Sequence, residues 1–175
     1  LSIFLLAAQA ASPVRFLTFS HNGQLMASAS GGAVRVWTVS NGVVQALLSA
    51  HDGPVSAVEF SSDDTLIATV SSSTVHVWNV ANSEQTVWLQ GQSSHASSIS
   101  FSPDGKTLAS ANYSTVHVWD LATGHELAEL KGAAGTVFSV AYSPDGRYLA
   151  AGIGAASVQI WDVAAQRLLA TLNPH

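Results

Sequence analysis

The chain has 175 residues, 47% of them hydrophobic and only 10% charged, with a net charge of −5. Ordinary domains carry roughly 25% charged residues, so little of this surface is solvated by charge, and a negative balance without any basic run argues against binding a phosphate backbone. The absence of cysteine excludes disulfides, thiolate metal sites and thiol nucleophiles together, and leaves the redox compartment open.

Taken in order, the first residues run Leu-Ser-Ile-Phe-Leu-Leu and reach Pro13-Val14. Shifted by 41, Val44 to Leu47 fall back onto Ile3 to Leu6, and Pro54-Val55 onto Pro13-Val14. Residues 1–13 therefore read as the outer strand of a preceding unit. Ala8-Gln9-Ala10 also fits a secretion-signal remnant, though no positive segment precedes it. Four similar units follow, at 14–54, 55–95, 96–136 and 137–175. Each carries the pattern Val-x-Val/Ile-Trp, ending at Trp37, Trp78, Trp119 and Trp161, which step by 41, 41 and 42 residues. A second ladder, Phe19, Phe60, Phe101 and Tyr142, keeps the same beat at 41. A period near 40 means one supersecondary unit copied along the chain, and such units bury their apolar faces only by stacking.

The cleanest unit predicts four strands. Ser97 to Phe101 alternates with period two. Ser102-Pro103-Asp104-Gly105 is a turn: Pro sets φ, Asp bonds nearby amides and Gly takes positive φ. Thr107 to Ala111 is the second strand and Thr115 to Trp119 the third, rich in β-branched residues. Ala122-Thr123-Gly124 turns into the fourth, Glu126 to Leu130. The last copy ends in its own fourth strand, Leu168 to Leu172. An all-β chain of four-stranded antiparallel meanders is the expectation. No apolar run reaches the ~18 residues of a membrane helix.

The combination Phe-Ser-Pro-Asp-Gly, Leu-Ala-Ser, Val-x-Val-Trp-Asp and Thr-Gly resembles the WD-repeat (WD40) β-propeller family over essentially the whole chain. The resemblance implies radial blades and a scaffold that binds a protein or peptide rather than an enzyme. It also implies, in each blade, a polar relay joining His, Asp, Ser/Thr and Trp. Here the His position reads His51, Gln92, Ala133 and His175. The hydroxyl position reads Ser28, Thr69, Ser110 and Ala151, and the connections expected to hold Asp contain none. No copy completes the relay, so the indoles are expected to find another acceptor or stay partly wet. Four blades fall short of the family's usual six to eight. Two apolar end faces of about 320 Å² each would then need covering. Further blades of a longer chain, a homodimer closing an eight-bladed ring, or closure as a four-bladed ring would each do so.

Candidate sites follow from the same frame. The resemblance places His51, Asp52, Gln92, His95 and Ala133, with Gly32, Ser73, Tyr113 and Ala155, on the usual docking face. Tyr113 is the strongest anchor, an aromatic where other copies carry small residues. Trp88 is a candidate side contact on an outer strand. No catalytic, cofactor or metal site is expected. His76 and His117 share one repeat position with Arg35 and Gln159, which simply accepts long polar side chains, and no carboxylate neighbours them. A rival reading places chemistry in the central channel, where the first strands offer Arg15, Thr18, Glu59, Ser98, Ser100 and Ser139, a thin set. A third treats the blades as bracing within a larger multidomain protein. The cytoplasm is the expected location, with secretion as the alternative.

Overall fold

The structure, a computed structural model, describes residues 12–49, 51–89, 96–131, 135–154 and 156–173. The expectations for residues 1–11, Gln92, His95, Ala133, Ala155 and His175 lie outside these. Among the described residues sixteen strands form four antiparallel sheets. Blade 1 holds β1 (Val14–Phe19), β2 (Leu25–Ser30), β3 (Ala33–Thr38) and β4 (Val44–Leu48). Blade 2 holds β5 (Val55–Phe60), β6 (Leu66–Ser71), β7 (Thr74–Asn79) and β8 (Gln85–Leu89). Blade 3 holds β9 (Ala96–Phe101), β10 (Thr107–Asn112), β11 (Thr115–Asp120) and β12 (Glu126–Lys131). Blade 4 holds β13 (Val137–Tyr142), β14 (Tyr148–Ile153), β15 (Ser157–Asp162) and β16 (Arg167–Leu172). The strands expected in blade 3 are found within a residue of their predicted ends.

The turns that join first and second strands share one device. Ser20, Ser61, Ser102 and Ser143 each donate a hydroxyl to the side-chain oxygen two residues on, at Asn22, Asp63, Asp104 and Asp145. In three copies a glycine then takes φ near +70°, at Gly23, Gly105 and Gly146. Blade 2 sets Asp64 there, at φ 61°, a conformation that ordinarily favours glycine. Its carboxylate accepts from the backbone amides of His21 and Asn22 at 2.6 and 2.9 Å, which ties blade 2 to blade 1.

The inner strands follow one another in space: β1 packs on β5, β5 on β9 and β9 on β13. Between them lie three cores of one design. Each blade's leading face carries its Trp, its ladder aromatic and a β2-type aliphatic, as Trp78, Phe60 and Ile67 do in blade 2. These pack on the trailing face of the blade before, on residues such as Val34, Val36 and Leu48. The same arrangement recurs between blades 2 and 3 and between blades 3 and 4.

The indole reading needs correction. Trp37, Trp78 and Trp119 donate Nε1–H to Ser28, Thr69 and Ser110 at 2.8, 3.0 and 2.8 Å. Each Trp pairs directly with Met26, Ile67 or Leu108, and the hydroxyl sits two residues along on the same face, within diagonal reach of a long ring. In blade 2 the relay extends further. His51 Nε2 meets Thr69 Oγ1 at 2.8 Å, and His51 Nδ1 meets the Gly32 carbonyl at 2.9 Å. A backbone carbonyl thus stands where the family pattern expects an Asp. Because a carbonyl only accepts, Nδ1 carries the proton, Nε2 accepts from Thr69, and Thr69 accepts from Trp78.

Candidate interaction site at the inner-strand mouth

His51 spends both ring nitrogens on that relay and is half-buried, which gives it a structural part in blade 2. Burial holds its pKa below the ordinary value, against a hydrogen bond to Gly32 that favours the charged form, and nearby His76 adds to the depression. Asp52 is exposed on the same loop. Trp88 is also exposed, on β8 directly across from His76, and so stands on the outer wall away from the inner strands.

His76 and His117 are not surface positions. They lie on the leading faces, buried by the preceding blade and stacked on Trp78 and Trp119 at 6.0 and 5.8 Å. The expected lack of a carboxylate neighbour fails for His117, whose Nδ1 lies 2.8 Å from Glu126 Oε1. Glu126 occupies the repeat position that holds Gln85 beside His76. Among the described residues no group of three or more metal-ligating side chains gathers, and no helix is long and apolar enough to cross a membrane.

Tyr113 occupies the turn between β10 and β11, 61% exposed. Its carbonyl accepts from Val137 N at 2.6 Å, where Gly31 and Ser72 accept from Val55 and Ala96. Its true repeat counterparts are therefore Gly31 and Ser72, one residue before Gly32 and Ser73. The ring lines a cavity of about 380 Å³ together with Phe16 of β1, Val137 and Phe138 of β13, and Ser56 and Ser97. Phe138 is 63% exposed. A Cβ at Gly154 would fall 2.9 Å from its ring, so this position must stay bare for Phe138 to lie there.

A second cavity of about 340 Å³ shares Phe16, Ser56 and Ser97 with the first and reaches Glu59 and Ile99. The two adjoin along the inner strands and together form a groove walled by these shared residues. Its floor is held by serines. Ser56 and Ser97 donate to the carbonyls of Ala96 and Val137 at 2.9 and 2.8 Å. Ser98 and Ser100 accept from Val140 N and Tyr142 N, both at 3.2 Å. These hydroxyls of the rival channel reading are thus engaged in joining blade to blade. Glu59 makes the equivalent contact with the Phe101 amide, but burial pushes its carboxyl up to about 7 against that hydrogen bond.

Repeat comparison singles out the residues around this groove. Phe16 stands where the other copies have Ala57, Ser98 and Ser139; Phe138 where they have Arg15, Ser56 and Ser97. Glu59 stands where they have Thr18, Ser100 and Ala141. Phe16 and Phe138 depart from the repeat as Tyr113 does, and Glu59 departs from it at a position already named in the channel reading.

Blades fanned about their first strands, with connecting loops gathered at one mouth, define a repeat module of the propeller class. The family model described as WD domain, G-beta repeat, matches residues 3–38, 42–79, 83–120 and 124–162. The chain belongs to the WD40 family. No curated protein matches it.

Proposed function

We propose that this chain is a non-catalytic interaction scaffold that docks a protein or peptide at the inner-strand mouth. The observation that supports it is the convergence of three aromatics absent from the other copies, Phe16, Tyr113 and Phe138, on one cavity. The blade design does not call for them, and exposed clustered aromatics are the residues that dominate binding energy at interfaces. WD40 domains generally bind proteins, which fits. Peptides selected from a displayed library against the chain test the reading. Tyr113→Ala and Phe138→Ser should each weaken the selected peptides about tenfold or more. Selected binders indifferent to both substitutions would refute it.

A second reading, of assembly, rests on the two end faces. On the leading face of blade 1, Phe19 is 59% exposed, whereas its counterpart Phe60 is 1% exposed. Val14, Leu17 and Val39 are exposed beside it and Trp37 is half-buried. On the trailing face of blade 4, Leu172 is 46% exposed against 0% for Leu89. Such faces mark interaction surfaces. The internal interfaces supply a partner design, since each pairs a leading with a trailing face. Pairing with a second copy, toward an eight-bladed ring, satisfies both ends at once; further blades of a longer polypeptide would do the same. Light scattering should give twice the 18.1 kDa chain mass for the paired ring, and a single-chain mass at high concentration would exclude it.

A further inference from the structure

Resting on the docking reading above, we infer that the partner delivers a cationic side chain, a lysine or arginine, through the aromatic mouth to the Glu59 carboxylate. The cavity at Phe16, Tyr113 and Phe138 adjoins the one at Glu59, with Phe16, Ser56 and Ser97 as shared walls. An apolar mouth leading to an acid matches an aliphatic stem that ends in a cation, and aromatic faces attract such a cation on its way in.

Glu59 is also the one acidic residue lining either cavity, and no basic residue lines them. Strand β1 faces it with Phe16 and Leu17, β9 with Ser97, Ser98 and Ile99, and β6 pairs Ala68 with it. Arg15, the nearest basic residue along β1, lines a separate recess with Pro54 and Val55. Among the described residues Glu59 has no ion-pair partner. A half-buried carboxylate without a cation is costly, and the other copies hold the same strand geometry with Thr18, Ser100 or Ala141. The fold therefore does not require an acid here. A cation arriving from outside would replace the lost hydration with a charge-assisted hydrogen bond.

The test titrates the isotope-labelled chain with N-acetyl-lysine N-methylamide and, separately, with N-acetyl-norleucine N-methylamide, which keeps the stem and loses the charge. Amide shifts are followed at pH 8.5 and pH 5.5, on either side of the Glu59 pKa of about 7. At pH 8.5 the lysine probe should bind roughly tenfold tighter than the norleucine probe, with shifts at Phe101 and along Ser56 to Glu59. That preference should vanish at pH 5.5 and in Glu59→Gln at both pH values. Equal binding of the two probes at pH 8.5, or an undiminished lysine preference in Glu59→Gln, overturns the inference. The docking reading fails separately, when library-selected peptides ignore Tyr113→Ala and Phe138→Ser.

Discussion

Thr69→Val removes one hydroxyl and almost no volume, and so isolates the relay of blade 2. Thr69 Oγ1 serves two partners, accepting from Trp78 Nε1 at 3.0 Å and donating to His51 Nε2 at 2.8 Å. Trp78 is 5% exposed, so its N–H has no water to turn to, and His51 is half-buried. Leaving a buried polar group unpaired costs about 1–3 kcal/mol. Two such groups give about 2–6 kcal/mol, reduced by about 1 kcal/mol because valine is cheaper to bury than threonine. The net expectation is a loss of about 1–5 kcal/mol in urea unfolding. Ser110→Ala supplies the comparison: it strands only the Trp119 indole and should cost about 1–2 kcal/mol. A double-mutant cycle of Thr69→Val with His51→Phe should show coupling of about 1 kcal/mol or more, while the same His51→Phe change should add to Ser110→Ala without coupling. A neutral or stabilising Thr69→Val, or additivity with His51→Phe, would refute the relay.

Three further outcomes are expected. His51 has a depressed pKa in the fold, so the unfolded chain binds its proton first. The stability it contributes is present above the ordinary pKa of 6.5 and is lost as pH falls toward the folded value; urea melts from pH 7.5 to 5 should show this loss, and His51→Gln should flatten it. Glu59 has the opposite sign. Its pKa rises from 4.5 to about 7, so its favourable state is protonated below pH 4.5 and is lost as pH climbs through 7. Glu59→Gln should therefore stabilise the chain at pH 8.5 by on the order of 3 kcal/mol and change little at pH 4.5; equal melts of the two proteins at pH 8.5 would contradict it. Phe60→Ala should cost about 3–5 kcal/mol, whereas Phe19→Ala should stay within about 0.5 kcal/mol if its face is bare in solution. A Phe19→Ala cost matching that of Phe60→Ala would mean that something covers the leading face.

The repeat made the fold readable, because periodicity survives averaging over copies. The Trp and Phe ladders mark equivalent positions in every blade, and the strand limits follow from the turn residues between them. The relay was misjudged for a local reason. Looking for a side-chain Asp overlooked the Gly32 carbonyl, and listing the hydroxyls without the cross-strand register hid that each lies diagonal to its Trp. That His76 and His117 are buried was not legible, because a long polar residue at a shared position shows which way it faces only once the stacking order of the blades is known. In blade 1, whose leading face meets no other blade among the described residues, Arg35 at that position is exposed.

The groove was legible only as departures from the repeat, and the reason is physical. Residues common to all copies answer to the packing of blade on blade, a constraint repeated three times here. Residues that differ are free of it, and in a rigid array they are where individuality is stored. Most such departures scatter; Trp88 on the outer wall is one. Phe16, Tyr113, Phe138 and Glu59 come from three different strands and a turn, in four different blades, yet line one groove. Each lies in a different blade, at least 25 residues from the next along the chain, so only the stacking of blades brings them together. A single test separates meaning from accident here. Grafting the repeat consensus at all four positions (Phe16→Ser, Glu59→Ser, Tyr113→Ser and Phe138→Ser) should leave the three interblade cores and the urea transition at pH 5.5 within about 1 kcal/mol of the parent, while abolishing binding of peptides selected on the parent. A grafted chain that unfolds more easily by several kcal/mol would assign these residues to the core instead, and the docking reading would lose its support.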